Sequence, residues 1–472
     1  MKALLSRIDF SYIYAFLGEA TLALTFIFYI ILARVLGPQE YGVFAGAVAL
    51  AAILSLFIQF GFPTLMTREV AANPLEAPKS TIRFLLLEGL NSLPILLVLV
   101  PIAQLLGFEG NGLIVCYLAV FSEVCRSAKQ TLRAVLRGLG DFRGESISVA
   151  IERFFVVLFA SGVLFWSENL VLVLATVVVF RTLDILVLLY YLSKKISIWS
   201  PINFSNLWET LKMAYPFAIS GVLWILYYQI DLVMLKGLTT PEQTGFYSVS
   251  YRTIEIFSAL PRVIFYVGFT RFTKCFTTNP DNLPIETYKS TKLLLTIVLP
   301  TIVVAGFCQT IIIDIIYGEA FYPAINSLAI LLPSLSIKMF GTLVETFLQT
   351  TRREKSLLKL LLVTVIVNIA ANAILIPHLQ AVGAAIATLL SEVVLAISGL
   401  GLMAYMGYKI GRYLCLIATI SLLLAGVPSL ILYGLNPGIA IGIMTISIVA
   451  IVFLMVPKQF FRYSIDSINT KK

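Results

Sequence analysis

Residues 169–192 read NLVLVLATVVVFRTLDILVLLYYL. Apart from Arg181 and Asp184 the stretch is apolar, and it lacks the period-2 alternation of a barrel strand. Its length matches the roughly 20 residues that an α-helix needs to cross a bilayer. Runs of this kind recur along the whole chain, which has 472 residues, 59% of them hydrophobic and only 12% charged, with a mean hydropathy of +0.95. A soluble protein of this length needs a polar surface that this composition does not supply, and the apolar content equally excludes disorder. The fold class expected is therefore an all-α polytopic membrane protein.

Fourteen spans are predicted, near 12–33, 41–62, 83–106, 112–132, 146–166, 169–192, 214–237, 243–267, 290–313, 323–349, 356–377, 381–406, 413–433 and 437–456. The connections are short, which leaves no room for a soluble domain or a nucleotide-binding cassette. With the N-terminus placed inside, 27 of the 34 Lys and Arg fall in alternate loops taken as cytoplasmic, among them Arg126, Lys129 and Arg133. Two, Arg34 and Lys236, fall outside, and five lie within spans. The positive-inside rule then puts both termini in the cytoplasm, and the membrane expected is the cytoplasmic (inner) one. The same distribution accounts for the net charge of +9, because scattered loop charges are not a nucleic-acid-binding surface. The five cysteines include no CxxC pair, so neither a disulfide nor a zinc site is expected. No cleavable signal precedes the first span, which is expected to stay as an anchor.

GPQEYGVF at Gly37–Phe44 opens the second span and TPEQTGFY at Thr240–Tyr247 opens the eighth. Pro38 matches Pro241, Gly42 matches Gly245, and Thr67-Arg68 matches Thr270-Arg271, all at an offset of 203 residues. Six spans separate the copies, so the halves share one topology, a parallel repeat of the kind found in alternating-access carriers. The lobes are expected over residues 1–200 and 201–408, with 409–472 adding two helices and a tail outside the repeat.

A charge at the bilayer centre costs about 2.5–3.5 kcal/mol and marks a cavity or a partner. The cations Arg153, Arg181, Arg252, Arg262 and Lys338 are therefore candidates for lining a substrate cavity. Arg252, Glu255 and Arg262 follow one stripe of the eighth span, and Lys338 and Glu345 one face of the tenth. The competing reading is structural pairing: Arg181 with Asp184, Arg252 with Glu255, or Asp231 with Arg252. The acids Glu19, Glu88, Asp231 and Glu392, with no base on their own helix turn, are candidates for carrying H+ or Na+. Nine acids stand against five bases in the spans, an imbalance that an anion cavity does not by itself explain. His378, the only histidine, falls in a short outer turn and has no partner histidine for a dyad. GAAIAT at Gly383–Thr388 lacks the strand and lysine of a phosphate loop and reads as a close-packing segment. Asn368 and Asn372 read as interhelical hydrogen-bonding groups, with a sugar contact as the alternative.

ARVLGPQEYGVF, FGFPTLMTREVA, QIDLVMLKGLTTPEQTGFYSVSYR, IYGEAFYPAINSLAIL and VNIAANAILIPHLQAVGAAIATLLSE, in that order, resemble the polysaccharide transporter family, the Wzx-type O-antigen flippases. That family shares a superfamily with multidrug exporters and lipid II flippases. The resemblance covers spans 1–12 and implies two pseudo-symmetric six-helix lobes around a central cavity. It further implies alternating access and, as substrate, a polyprenyl-pyrophosphate-linked glycan used for surface polysaccharide such as lipopolysaccharide. No cofactor is implied beyond a coupling ion, H+ or Na+. The partners implied are membrane lipids, the lipid-linked glycan and other polysaccharide assembly proteins, with no nucleic acid. The chemistry agrees: a sugar head with phosphates cannot cross hydrocarbon unaided, and the arginine fork suits phosphate. A multidrug exporter and a lipid II flippase are the alternatives. A membrane polymerase or ligase is disfavoured by outer loops of only a few residues.

Overall fold

The computed structural model describes residues 22–197, 207–412 and 414–420. Glu19, the last predicted span and all but the start of the span before it lie outside these residues. No strand occurs among the described residues, and eight helices are long and apolar enough to cross a membrane.

The helices are α1 (Leu22–Gln59), α2 (Phe62–Ala72), α3 (Ala77–Leu105), α4 (Asn111–Gly138), α5 (Phe142–Ser167), α6 (Leu170–Ser193) and α7 (Leu207–Leu238). They continue with α8 (Pro241–Phe257), α9 (Ala259–Thr278), α10 (Leu283–Phe307), α11 (Gln309–Tyr317), α12 (Ala324–Thr350) and α13 (Glu354–Tyr405). Two of them are broken. α1 is interrupted at Gly37, whose φ of 72° favours glycine, and Pro38 restarts the helix with a φ already suited to a first turn. α13 is interrupted at Gln380 (φ 53°), three residues after Pro377. The pieces of α1 and α13 correspond to predicted spans 1, 2, 11 and 12. Side-chain caps start two others: the Asp141 carboxylate accepts from Gly144 N (2.9 Å), and Asn169 Oδ1 accepts from Val171 N (2.9 Å). Lys195 and Tyr191 donate to the other Asp141 oxygen. Burial raises the Asp141 pKa, but these hydrogen bonds outweigh it and hold the carboxyl below its ordinary value.

The predicted eighth span is two helices. α8 ends at Phe257 and α9 begins after Ser258, because Pro261 has no N–H to continue the ladder back to Phe257. Arg252 and Arg262 therefore stand on different helices, not on one continuous stripe.

Chain contacts divide the protein into two compact units, residues 1–248 and 249–472. In the first, α4 is central, packing on α1, α2, α3, α5 and α6. Its apolar side joins α2 and α3 in a core that includes Phe62, Leu65, Phe84, Leu132 and Val135. In the second, α12 packs on α9, α10, α11 and α13. The repeat recurs in the backbone. Gly140 (φ 78°) and Arg352 (φ 57°) follow α4 and α12, while Glu168 (φ 48°) and Gln380 (φ 53°) follow the next helix of each half. Both pairs are 212 residues apart. So are the bonds that close α4 and α12, Asp141 N to Leu136 O and Arg353 N to Leu348 O, each 2.8 Å.

The two matched glycines meet within the first unit. A Cβ on Gly42 would lie 1.7 Å from the Pro241 carbonyl oxygen, and one on Gly245 would lie 2.3 Å from that of Pro38. The contact is reciprocal, each motif's glycine receiving the other's proline carbonyl, and it requires hydrogen in both places. At this end Lys236, expected in an outer loop, is buried. Its ammonium donates to Leu106 O (3.1 Å) and Gly107 O (2.9 Å) and tethers α7 to the end of α3. Gly42→Ala and Gly245→Ala should each lose about 1–3 kcal/mol of stability, the usual cost of overpacking. Gly89→Ala, where no atom lies within 4 Å of the added Cβ, should be neutral or gain up to ~1 kcal/mol. Unfolding of the purified protein in detergent checks both.

Candidate functional site

The charges of the first unit converge between α4, α5 and α6. Glu123, Arg126, Lys129 and Arg133 recur at intervals of three and four residues along α4 and so share one side of it. Because α4 is central, that side faces protein rather than water: Lys129 is 3% exposed and Arg133 6%. Lys129 donates to Glu152 of α5, and Arg133 reaches both Glu152 (3.2 Å) and Asp184 of α6 (2.7 Å). Ser148 of α5 donates to the second Asp184 oxygen (2.9 Å). Nearer the other end of the cluster, Glu123 accepts from Arg126 and from Arg181 of α6 (3.2 Å). Arg181 also donates to the carbonyl (2.8 Å) and hydroxyl (2.7 Å) of Ser122 and lies 3.9 Å from Glu152.

Arg181 and Asp184, i and i+3 on one helix, thus do not pair with each other; each reaches across to α4. Crossing helices bring the opposite charges closer than the helix surface does. Placing Arg126, Lys129 and Arg133 in a cytoplasmic loop is likewise corrected: α4 runs unbroken through them into the bundle. With these three counted inside the bundle, the excess of acids over bases in the spans largely disappears.

The cluster surrounds a cavity of about 250 Å³ that reaches α1 through Tyr29, Phe44 and Val48. Among the described residues five cations line it, Arg126, Lys129, Arg133, Arg153 and Arg181, with two acids, Glu123 and Glu152. Asp184 adds a third acid beside Arg133. Two outward connections continue along α1: Arg126 donates to Ser55 Oγ (3.2 Å), and Gln59 pairs with Gln130.

Of the other predicted residues in the first unit, Glu88 and Asp231 do not join this site. Glu88 of α3 lies on a different side of α4, 3% exposed, and its Oε1 accepts from Ser127 (2.8 Å) and Thr131 (2.7 Å). Its Oε2 is buried with no hydrogen-bond partner, and no cation among the described residues lies within 4 Å of the carboxyl. Asp231 accepts from Tyr247 (2.6 Å). In the second unit Arg252 pairs with Glu255 (3.2 Å), the structural alternative. Lys338, read as cavity lining, and Glu392, read as an ion carrier, lie 3.6 Å apart. Asn368 donates to Ser391 (3.0 Å) across the two pieces of α13, and Asn372 donates back to Asn368 (3.0 Å). The side chain of Arg262 and all of Glu19 lie outside the described residues. Arg126, Lys129 and Arg133 are the site residues that the sequence reading missed. The signal was their spacing on one helix side, which carries weight only once that helix is known to be enclosed.

The family described as "Polysaccharide biosynthesis protein" matches residues 11–274. No curated protein sequence matches the chain. Among solved structures, one described as the lipid II flippase MurJ in an inward closed conformation aligns with 96% of this chain and 99% of its own, at a TM-score of 0.72 and 14% identity. An inward-facing multidrug resistance MATE family transporter of the MOP superfamily aligns with 84% of this chain and 95% of its own, at 0.65 and 16%. A MOP superfamily transporter from Pyrococcus furiosus, described as having a binding pocket of reverse polarity, aligns at 0.56 and 17%, covering 85% and 95%. At these identities the likeness is one of fold.

Glu152 holds two cations by direct contact and a third at longer range. Glu152→Leu or Lys129→Met alone should therefore cost about 3–5 kcal/mol, the effect of leaving buried charge unpaired. The double substitution should cost clearly less than the two added together. A double-mutant cycle on thermal unfolding measures the coupling, and additive losses would contradict the network.

Proposed function

Because the chain belongs to the polysaccharide biosynthesis protein family, we propose that it flips a polyprenyl-pyrophosphate-linked oligosaccharide across the cytoplasmic membrane by alternating access. The single observation that supports this most is the gathering of Arg126, Lys129, Arg133 and Arg181 around the cavity of the first unit. Arginine at several points of the wall offers a pyrophosphate paired hydrogen bonds in a medium that strengthens them. In this reading the lobes are residues 1–200 and 201–408, 409–472 add two further helices, and both termini are cytoplasmic. The protein is a secondary transporter rather than an enzyme, and surface polysaccharide assembly is the process served.

No nucleotide-binding cassette fits the short connections, so the driving force is an H+ or Na+ gradient or the concentration of substrate. Glu88 is the carboxyl best suited to carry the ion. It is buried, held by two hydroxyls and left with one oxygen unpartnered.

The second reading is a lipid II flippase, favoured by the end-to-end fold likeness to a structure so described. It uses the same pyrophosphate chemistry and differs in the sugar head. A multidrug exporter is disfavoured, because cationic drugs would meet a cationic wall.

Proteoliposomes loaded with fluorescent polyprenyl-pyrophosphate oligosaccharide test the proposal. Wild type should expose the label to an external quencher. Arg126→Ala and Arg153→Ala should slow this at least about tenfold, the loss expected for one charged hydrogen bond. Unchanged rates in both variants would remove the cavity from the mechanism. Glu88→Gln keeps a carbonyl for Ser127 and Thr131. It should abolish acceleration by an imposed proton or sodium gradient while leaving gradient-free equilibration in place.

A further inference from the structure

A second cavity, of about 590 Å³, opens on the outside of the first unit between the end of α1, α3 and α7. Its lining includes Phe57, Phe60, Ile95, Val98 and Tyr215 and is apolar except for Asn91 and Lys212. It lies where the three helices are irregular. α1 ends at Phe60 with a positive φ, α3 contains Pro94, and α7 contains Pro216. Helices that bend apart leave a groove instead of a seam. Phe57 is 53% exposed and Val98 47%, so the groove is open rather than closed into the core.

Two features identify an occupant. The first is charge. Lys212 is exposed, has no carboxylate within 4 Å among the described residues, and sits 5.6 Å from the ring of Trp208, one turn earlier on α7. A Trp–Lys pair is the usual marker of the membrane–water interface, so this end of the groove meets headgroups and carries a free positive charge. The second is position. α1 lines both cavities: Phe44, Val48 and Ala51 face the charged one, while Phe57 and Phe60 face the groove. Ala51 and Phe57 are six residues apart, about 9 Å along the helix. Ser55, which accepts from Arg126, lies on that interval, and Gln59, which pairs with Gln130, lies two residues beyond it. A single molecule with a phosphorylated head and a long apolar chain spans the two.

We infer that this groove binds the isoprenoid chain of the lipid-linked substrate at the inner leaflet, with Lys212 holding its phosphate as the head moves toward the charged cavity. The inference rests on the flippase reading for its substrate class. The volume lies within the range of sites that bury most of a ligand, which suits an ordered segment of chain and not a passing contact.

The test is photolabelling of the purified full-length protein in nanodiscs with a diazirine-bearing polyprenyl phosphate that has no sugar. Label should concentrate in peptides covering residues 91–98 and 208–215 and persist under tenfold excess phosphatidylglycerol. Val98→Trp, which fills the groove from an exposed position, should lower it at least fivefold. Lys212→Glu should lower it by about fivefold or more, the worth of one basic group at a lipid surface. Displacement by phosphatidylglycerol would make the groove an ordinary lipid contact and overturn the inference. So would label spread over the whole apolar surface, a crosslink between two copies through the groove, or undiminished labelling in Val98→Trp. Flipping by the same wild-type preparation separates the two claims. Flipping without groove labelling rejects the groove alone, and groove labelling without flipping rejects the flippase reading while the lipid site stands.

Discussion

The carboxylate of Glu152 ties basic side chains from two helices to its own. Lys129 and Arg133 come from α4, Arg181 from α6, and all three lie within 4 Å of that one group on α5. Placing ions in a helix bundle costs several kcal/mol each, and the cost is offset only where geometry and further hydrogen bonds are good. Here they are: Asp184, Ser148, Ser122 and Glu123 satisfy most of what Glu152 does not reach. The network sets the spacing of α4, α5 and α6 and thereby the walls of the cavity. It also gathers Arg126, Lys129, Arg133 and Arg181 on the cavity wall.

This grouping of basic side chains is what the proposed transport would use. An anion that enters the cavity replaces solvent and relieves repulsion among the arginines. Affinity must remain moderate for the cargo to leave, and paired acids serve that purpose by competing with the ligand for the same guanidinium groups. The reciprocal approach of Gly42 to Pro241 and Gly245 to Pro38 supplies a different element, a close helix crossing that excludes even a methyl group.

Much of this was legible in the chain. Fourteen apolar runs set the fold class, and twelve of them correspond to described helices because the rule involved, length against bilayer thickness, is local. The repeat was visible at Pro38/Pro241 and Gly42/Gly245 because proline and glycine mark backbone positions that few residues can fill. The site was less legible. Arg153 and Arg181 were found as intramembrane charges, but Arg126, Lys129 and Arg133 looked like loop residues at the end of a span. What moved them inside is the enclosure of α4 by five neighbours, a property of the whole bundle. The choice of partners is hidden for the same reason. Sequence shows Arg181 next to Asp184 on one helix, whereas packing gives Arg181 to Glu123 and Asp184 to Arg133. Pro261 splits the eighth span and separates Arg252 from Arg262.

The most direct measurement is a cryo-electron-microscopy map of the full-length protein in nanodiscs with its lipid-linked oligosaccharide bound. The account predicts diphosphate density inside the first unit, within about 3 Å of a guanidinium nitrogen of Arg126, Arg153 or Arg181, as charge-assisted hydrogen bonds require. Diphosphate bound away from α4, α5 and α6, with their charges satisfied only by one another, would contradict it.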